Sequence, residues 1–135
     1  MPASDSTFGN DCRQDVDCSA GQTCARTHEC ISGTLVSARI AWTVNGQAVS
    51  PASAEACTAA NIDHLEVSFA DGNLGDVTYS PVECKLGQIL FDKMPPRYYR
   101  VTVSAFTTSG GPYAADGSSL SPGENIVDLD LSPQL

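Results

Sequence analysis

The stretch VSARIAWTVNG, residues 36–46, decides the fold class of this chain. Its apolar side chains recur at every second position, namely Val36, Ala38, Ile40, Trp42 and Val44. Successive side chains of a β-strand point to opposite faces of the sheet, so this spacing predicts one buried face and one polar face. The Asn-Gly pair that closes the stretch is a strong hairpin signal and predicts the end of the strand.

The same two-residue period returns in several later segments. These segments are 65–69, 77–82, 89–91, 99–105 and 127–131. Pro81 places its strand at an edge or a bulge, because proline cannot donate a ladder hydrogen bond. Helical patterning is limited to the alanine-rich stretch 52–60, where Pro51 favours a short helix. The pattern predicts an all-β fold, an antiparallel two-layer sandwich of about seven strands.

Length, composition and charge narrow the class of partner. The 135 residues carry a formal charge of −9, from 16 acidic and 7 basic side chains. Nucleic acid and anionic membrane both select basic surfaces, so neither is expected as a partner. Hydrophobic residues make up 41% of the chain, enough for a core, but no apolar run approaches the roughly 20 residues of a membrane span. Membrane association is expected only through a lipid anchor outside this sequence.

The cysteines indicate an oxidising, extracytoplasmic compartment. Four are clustered with five residues between neighbours and two lie far downstream: Cys12, Cys18, Cys24, Cys30, Cys57 and Cys84. An even count in this arrangement is typical of a disulfide framework. Zinc is the competing interpretation of the cluster, but zinc sites usually bring cysteines in closer pairs. Two disulfides among the first four allow three connectivities, which the sequence does not distinguish; we expect the interleaved one, Cys12–Cys24 and Cys18–Cys30.

The chain divides into three parts on this pattern. Residues 1–10 have no periodicity and are interpreted as a tether. Residues 11–32 are expected to form a disulfide-rich module, and residues 33–135 are expected to form the β-sandwich. A third disulfide, Cys57–Cys84, is expected to hold the helical segment against the sheet.

Two motifs resemble known families. The string C-x4-D-C-x2-G-x2-C-x5-C, from Cys12 to Cys30, resembles dickkopf-like or EGF-like modules that follow the lipobox of bacterial surface lipoproteins. The later half, with Phe91, the Met94-Pro95-Pro96 turn and the alternating segment 99–105, resembles carboxypeptidase-regulatory-like, or transthyretin-like, sandwiches. The resemblance implies an Ig- or transthyretin-like sandwich over residues 33–135 in a lipid-anchored accessory or display domain, and it brings no catalytic residues with it.

Three aromatic residues are the candidate binding side chains. Tyr98 and Phe106 fall on the predicted outward face of their strand, and Tyr113 lies in the glycine-rich segment 108–123. The alternative is that Tyr98 and Phe106 cover the sheet or a loop. Binding residues concentrate on loops held by a rigid scaffold, so 108–123 and the second loop, 46–61, are the predicted contact surfaces.

The acidic clusters and the two histidines are the candidates for metal binding and catalysis. Asp71, Asn73 and Asp76 form one candidate calcium site, and Asp11, Asp15 and Asp17 form another, but neither set follows the EF-hand pattern. Solvated acidic turns are the alternative for both. Residues His28 and His64 lie in no nucleophile motif, so no enzymatic activity and no cofactor are expected.

The sequence therefore predicts a non-enzymatic, exported domain at the cell surface or in the periplasm. Its expected partner is another envelope or extracellular protein. A carbohydrate-binding or calcium-dependent adhesive module is the alternative function.

Overall fold

The computed structural model describes residues 12–71 and 76–133. The predicted tether, residues 1–10, lies outside this range. The strands are β1 (Gln22–Cys24), β2 (Cys30–Ser32), β3 (Val36–Val44), β4 (Gln47–Ala48), β5 (Ile62–Ala70), β6 (Asp76–Val82), β7 (Gln88–Met94), β8 (Arg100–Thr107), β9 (Pro112–Ser119) and β10 (Gly123–Leu131). One α-helix, α1 (Glu55–Ala59), and two 3-10 turns, Asp15–Asp17 and Cys84–Leu86, complete the described part of the chain.

The body is an all-β sandwich preceded by a disulfide-rich module, as the sequence predicts. One sheet has the strand order β6-β5-β8-β9. In the second, β3 pairs with β10 on one side and with β4 and β7 on the other. The small hairpin of β1 and β2 belongs to the module.

The core follows the alternation in the sequence. All five inward side chains of β3 are buried, from Val36 to Val44. The same is true of the alternating apolar residues of β5 and β10. Burial of a large apolar side chain contributes roughly 1.5–3 kcal/mol, so these rows supply the main drive for folding. The period-two prediction is confirmed for these strands.

One strand pair departs from the all-antiparallel prediction. Strands β10 and β3 run parallel along their whole length, with Gly123 opposite Val36 and Leu131 opposite Val44. The chain crosses from β9, at the edge of one sheet, to β10, at the edge of the other. Because no hairpin joins β10 to its neighbour β3, nothing in the connection requires antiparallel pairing.

The segment 108–123 is not the loop that its glycines and serines predict. Residues Pro112–Ser119 form β9, which pairs with β8 as the edge strand of its sheet. Its small side chains fit a strand because the β8 partner supplies the hydrogen bonds that fix its backbone. The short helix α1, in contrast, lies within the predicted stretch 52–60, and β6 with Pro81 is an edge strand as predicted.

Three disulfides fix the chain. Within the module they are interleaved, joining Cys12 to Cys24 and Cys18 to Cys30. The third joins Cys57 of α1 to Cys84 in the turn after β6. The indole Nε1 of buried Trp42 donates a 2.9 Å hydrogen bond to the Cys84 carbonyl, which ties this disulfide to the core of β3.

We find no helix within residues 12–71 and 76–133 with the length and apolarity needed to cross a bilayer.

Candidate functional site

Tyr98 is not an exposed binding residue. Its side chain is 5% exposed and belongs to the core, where its ring lies edge-on to Phe69 with 6.4 Å between centroids. Tyr99, assigned by parity to the inside, is instead 52% exposed. The alternation fails here because Tyr98 lies in a turn, with its backbone N–H bonded to the Pro95 carbonyl, just before β8 begins.

Phe106 lies on the outer face of its sheet, as predicted, but another ring covers it. His64, its cross-strand neighbour, stacks on it with 5.2 Å between centroids and 14° between planes. The His64 nitrogens face carboxylates, with Nδ1 2.8 Å from Asp63 and Nε2 3.6 Å from Glu66. Because the His64 ring covers one side of the Phe106 ring, less of Phe106 is open to a ligand than the sequence predicts.

Tyr113 is half-buried in β9 and packs against the core. Its hydroxyl accepts a 2.7 Å hydrogen bond from the Asn45 side-chain amide. Tyr113 therefore links the β3–β4 turn to the edge of the other sheet. The structure does not bring the three predicted aromatic residues together into one surface.

The calcium candidates have other contacts in the structure. The Asp71 carboxylate is buried and lies 3.2 Å from the Arg97 guanidinium, whereas Asp76 is exposed; Asn73 lies outside the described residues. In the second set, Asp15 and Asp17 accept backbone N–H bonds within the module, and Asp11 also lies outside the described residues. The sulfurs of Cys12, Cys18 and Cys30 lie within 4.8 Å of one another, but all three are disulfide-bonded and therefore are not thiolates.

A surface that the sequence analysis missed lies on the outside of the β10–β3–β7 sheet. Leu90 is 50% exposed and Ile126 is 79% exposed, and both are register partners of the exposed Arg39 between them. We call these three residues the Ile126 face. A cavity of about 230 Å³ lies over it, and Asp92 and Glu124 contribute acidic groups to its wall. The Ile126 face therefore consists of two apolar side chains and one basic side chain, with the acidic groups of Asp92 and Glu124 at its edge.

The sequence does contain a signal for this face. Residues 89–91 and 126–127 are runs of consecutive apolar residues inside strands. A strand sends neighbouring side chains to opposite faces, so each run must expose at least one apolar residue unless both faces are covered. Leu90 and Ile126 are those residues.

A second cluster joins the module to the sandwich. Arg97 donates to both carboxylate oxygens of Glu29, at 2.8 and 3.0 Å, and to Asp71 at 3.2 Å. Its guanidinium also lies over the Tyr98 ring, 4.8 Å from the centroid. Because Glu29 belongs to the module and Asp71 directly follows β5 of the sandwich, the Arg97 side chain connects the two parts.

Arg26 makes the second connection. Its side chain bonds the Asp92 carboxylate at 2.8 Å and the Asp92 carbonyl at 3.0 Å, and its backbone N–H bonds the Lys93 carbonyl. The module thus covers part of the outer edge of β7, which protects that edge from pairing with another chain.

Glu29 at the junction and Asp130 in β10 both have lowered pKa values. Burial raises the pKa of Glu29, but hydrogen bonds from Arg97 and Thr27, with the Arg97 charge, outweigh it and leave the pKa below its usual value. Hydrogen bonds from Ser132, Thr43 and the Gly46 backbone lower the pKa of Asp130. Both groups therefore stabilise the folded state in their charged form.

We expect acid to weaken the junction of module and sandwich. Because the folded pKa of Glu29 is depressed, its contribution is present above the ordinary value of 4.5 and is lost as the pH falls through the folded pKa. The thermal midpoint of the wild type should fall as the pH is lowered below 4.5, and the thermal midpoint of the Glu29→Gln protein should fall less over the same range. Equal slopes for the two proteins in a calorimetric pH series would contradict the assignment.

Comparison with known protein families, with curated proteins and with solved structures finds no match to this chain.

Proposed function

We propose that this chain is an exported, non-enzymatic domain that contacts another envelope or extracellular protein through the Ile126 face. The observation that carries the proposal is the pair of exposed apolar side chains, Leu90 and Ile126, on either side of Arg39. Soluble proteins often use an exposed apolar patch with a polar rim for protein contact, and arginine is enriched at the centres of such interfaces.

The compartment supports this function. Three disulfides are typical of an oxidising, extracytoplasmic environment. We extend the proposal to a lipid-anchored protein, on the resemblance of the cysteine motif to modules of bacterial surface lipoproteins. The non-enzymatic part of the proposal is supported by the sequence, in which neither His28 nor His64 lies in a nucleophile motif.

The geometry of the sheet also favours a protein partner. Leu90, Arg39 and Ile126 come from three adjacent strands of one rigid sheet, so they are held in place before binding. A preformed surface loses little conformational entropy when a partner binds. The partner that fits has an apolar side chain for the row and charged groups for its border.

A double variant tests the proposal. Leu90→Ser with Ile126→Ser should change the free energy of unfolding by less than about 1 kcal/mol, because Leu90 is half exposed and Ile126 is largely exposed. It should abolish the crosslink that a photoreactive amino acid at position 37 forms with an envelope protein, because position 37 lines the same cavity and leaves Arg39 in place. Val16→Ser is the matched control, since Val16 is 81% exposed on the module. Unchanged crosslinking in the double variant would overturn the assignment of this face.

A further inference from the structure

A groove between the disulfide module and β7 collects basic side chains in an otherwise acidic protein. Its volume is about 300 Å³, and its charged or titratable lining residues are Arg13, Arg26, His28, Asp92 and Lys93. Three cations against one carboxylate give the groove a charge of +2 with His28 neutral, whereas the whole chain carries −9. Three of the seven basic residues are therefore concentrated in one small region.

The backbone at Lys93 is held in a conformation that lysine rarely adopts. Its φ is +59°, in the left-handed region that favours glycine. It lies in an irregularity of the β7–β3 ladder, where Phe91 pairs with Ala38 and Met94 pairs with Val36. The β7 strand therefore has one residue more than β3 between these pairs, as in a β-bulge. Bulges redirect side chains and are frequent beside functional sites.

No structural contact of this strained residue requires the lysine side chain. The contact that docks the module at this residue uses only the Lys93 backbone carbonyl, which accepts the Arg26 N–H at 2.7 Å. Glycine would supply the same carbonyl without the strain. A charged side chain at a strained position that glycine would fill more easily points to a role for the charge itself.

The other basic groups retain capacity for a ligand. Arg26 uses two side-chain N–H groups on Asp92, and a guanidinium has five donors. Arg13 also lines the groove, and its backbone N–H bonds the Asp17 carboxylate at 2.9 Å. His28 lies beside them, with Nδ1 2.9 Å from the Cys12 carbonyl.

We propose that this groove binds a tetrahedral oxyanion, a phosphate or sulfate group, free or as an ester on a sugar. The cations come from three separate segments: the start of the module, its β1–β2 turn, and the β7 bulge. An anion with several oxygens can accept from all three at once, which a single carboxylate with two oxygens does less well. This inference does not depend on the Ile126 face.

Calorimetric titration at constant low ionic strength tests the site with four probes: sodium sulfate, sodium phosphate, glucosamine 6-sulfate and glucose 6-phosphate. Lys93→Gln should weaken binding about tenfold, in line with loss of one charge-assisted contact. Lys93→Gly should weaken it equally while raising the thermal midpoint. Lys85→Gln is the control, because Lys85 is exposed outside the groove and its loss changes the net charge by the same amount.

The outcomes separate the sources of the anion. Tighter binding of the two sugar esters than of the inorganic ions identifies an ester as the ligand, and equal binding identifies the free oxyanion. Wild type that binds none of the four probes overturns the proposal. The proposal is also overturned if the Lys93→Gly protein binds the probes as tightly as the wild type. The same holds if Lys85→Gln weakens binding as much as Lys93→Gln does.

Discussion

Replacing Arg97 with alanine is expected to lower the free energy of unfolding by about 2–3 kcal/mol. Hydrogen bonds to charged groups contribute roughly 1.5–3 kcal/mol, and breaking a buried ion pair costs more. Arg97 and Glu29 are each about one-third exposed, so the loss should stay below the cost of breaking a fully buried ion pair. The Asp71 side chain is only 1% exposed, so the loss should still exceed that of a surface ion pair. Urea denaturation at pH 7, followed by circular dichroism, measures the change.

Two further variants show whether geometry or charge alone is responsible. Arg100→Ala removes an exposed arginine three residues away and should change stability by less than about 0.5 kcal/mol. Arg97→Lys keeps the charge but lacks the planar fork that bonds both Glu29 oxygens, so it should recover only part of the loss. An Arg97→Ala protein as stable as Arg100→Ala would show that this cluster does not hold the module to the sandwich.

The sandwich was predictable because its strands are half-buried. In β3, β5 and β10 one face lies on the core and the other is polar, so side-chain period alone identifies them. The prediction fails where neighbouring strands decide the structure. Strand β9 has the composition of a loop and exists because β8 pairs with it. Tyr98 enters the core from a turn, where strand parity does not apply.

The sites were less predictable for a related reason. The sequence contains the apolar runs that produce Leu90 and Ile126, but the register that sets both beside Arg39 depends on a parallel pair between the first and last strands of the sandwich. The basic groove depends on a bulge and on the docking of the module. Arg13, Arg26 and Lys93 are far apart in sequence, and no local pattern connects them.

Removing the Cys57–Cys84 disulfide is expected to produce the largest loss of stability, about 3–4 kcal/mol. The disulfide closes a separation of 27 residues, and the loop-entropy model gives that magnitude for a loop of this length. Both cysteines are buried, and the Cys84 carbonyl accepts a hydrogen bond from the indole N–H of Trp42 in β3. Loosening the turn that contains Cys84 therefore also disturbs β3. The double variant Cys57→Ala with Cys84→Ala, unfolded in urea without reductant, measures the loss.

A matched variant in the module distinguishes global from local stabilisation. Cys18→Ala with Cys30→Ala opens a disulfide with a separation of 12 residues, for which the same model gives about 3 kcal/mol. The module has few buried residues of its own, so this loss should appear as faster hydrogen exchange at Cys24 and Ala25. The main unfolding transition should move less than in the Cys57–Cys84 variant, because the Arg26 and Arg97 contacts pass only part of the module's loss to the sandwich. If the module variant shifts that transition as far as the Cys57–Cys84 variant does, the two parts unfold as a single cooperative unit, and the Arg26 and Arg97 contacts couple them more tightly than we infer.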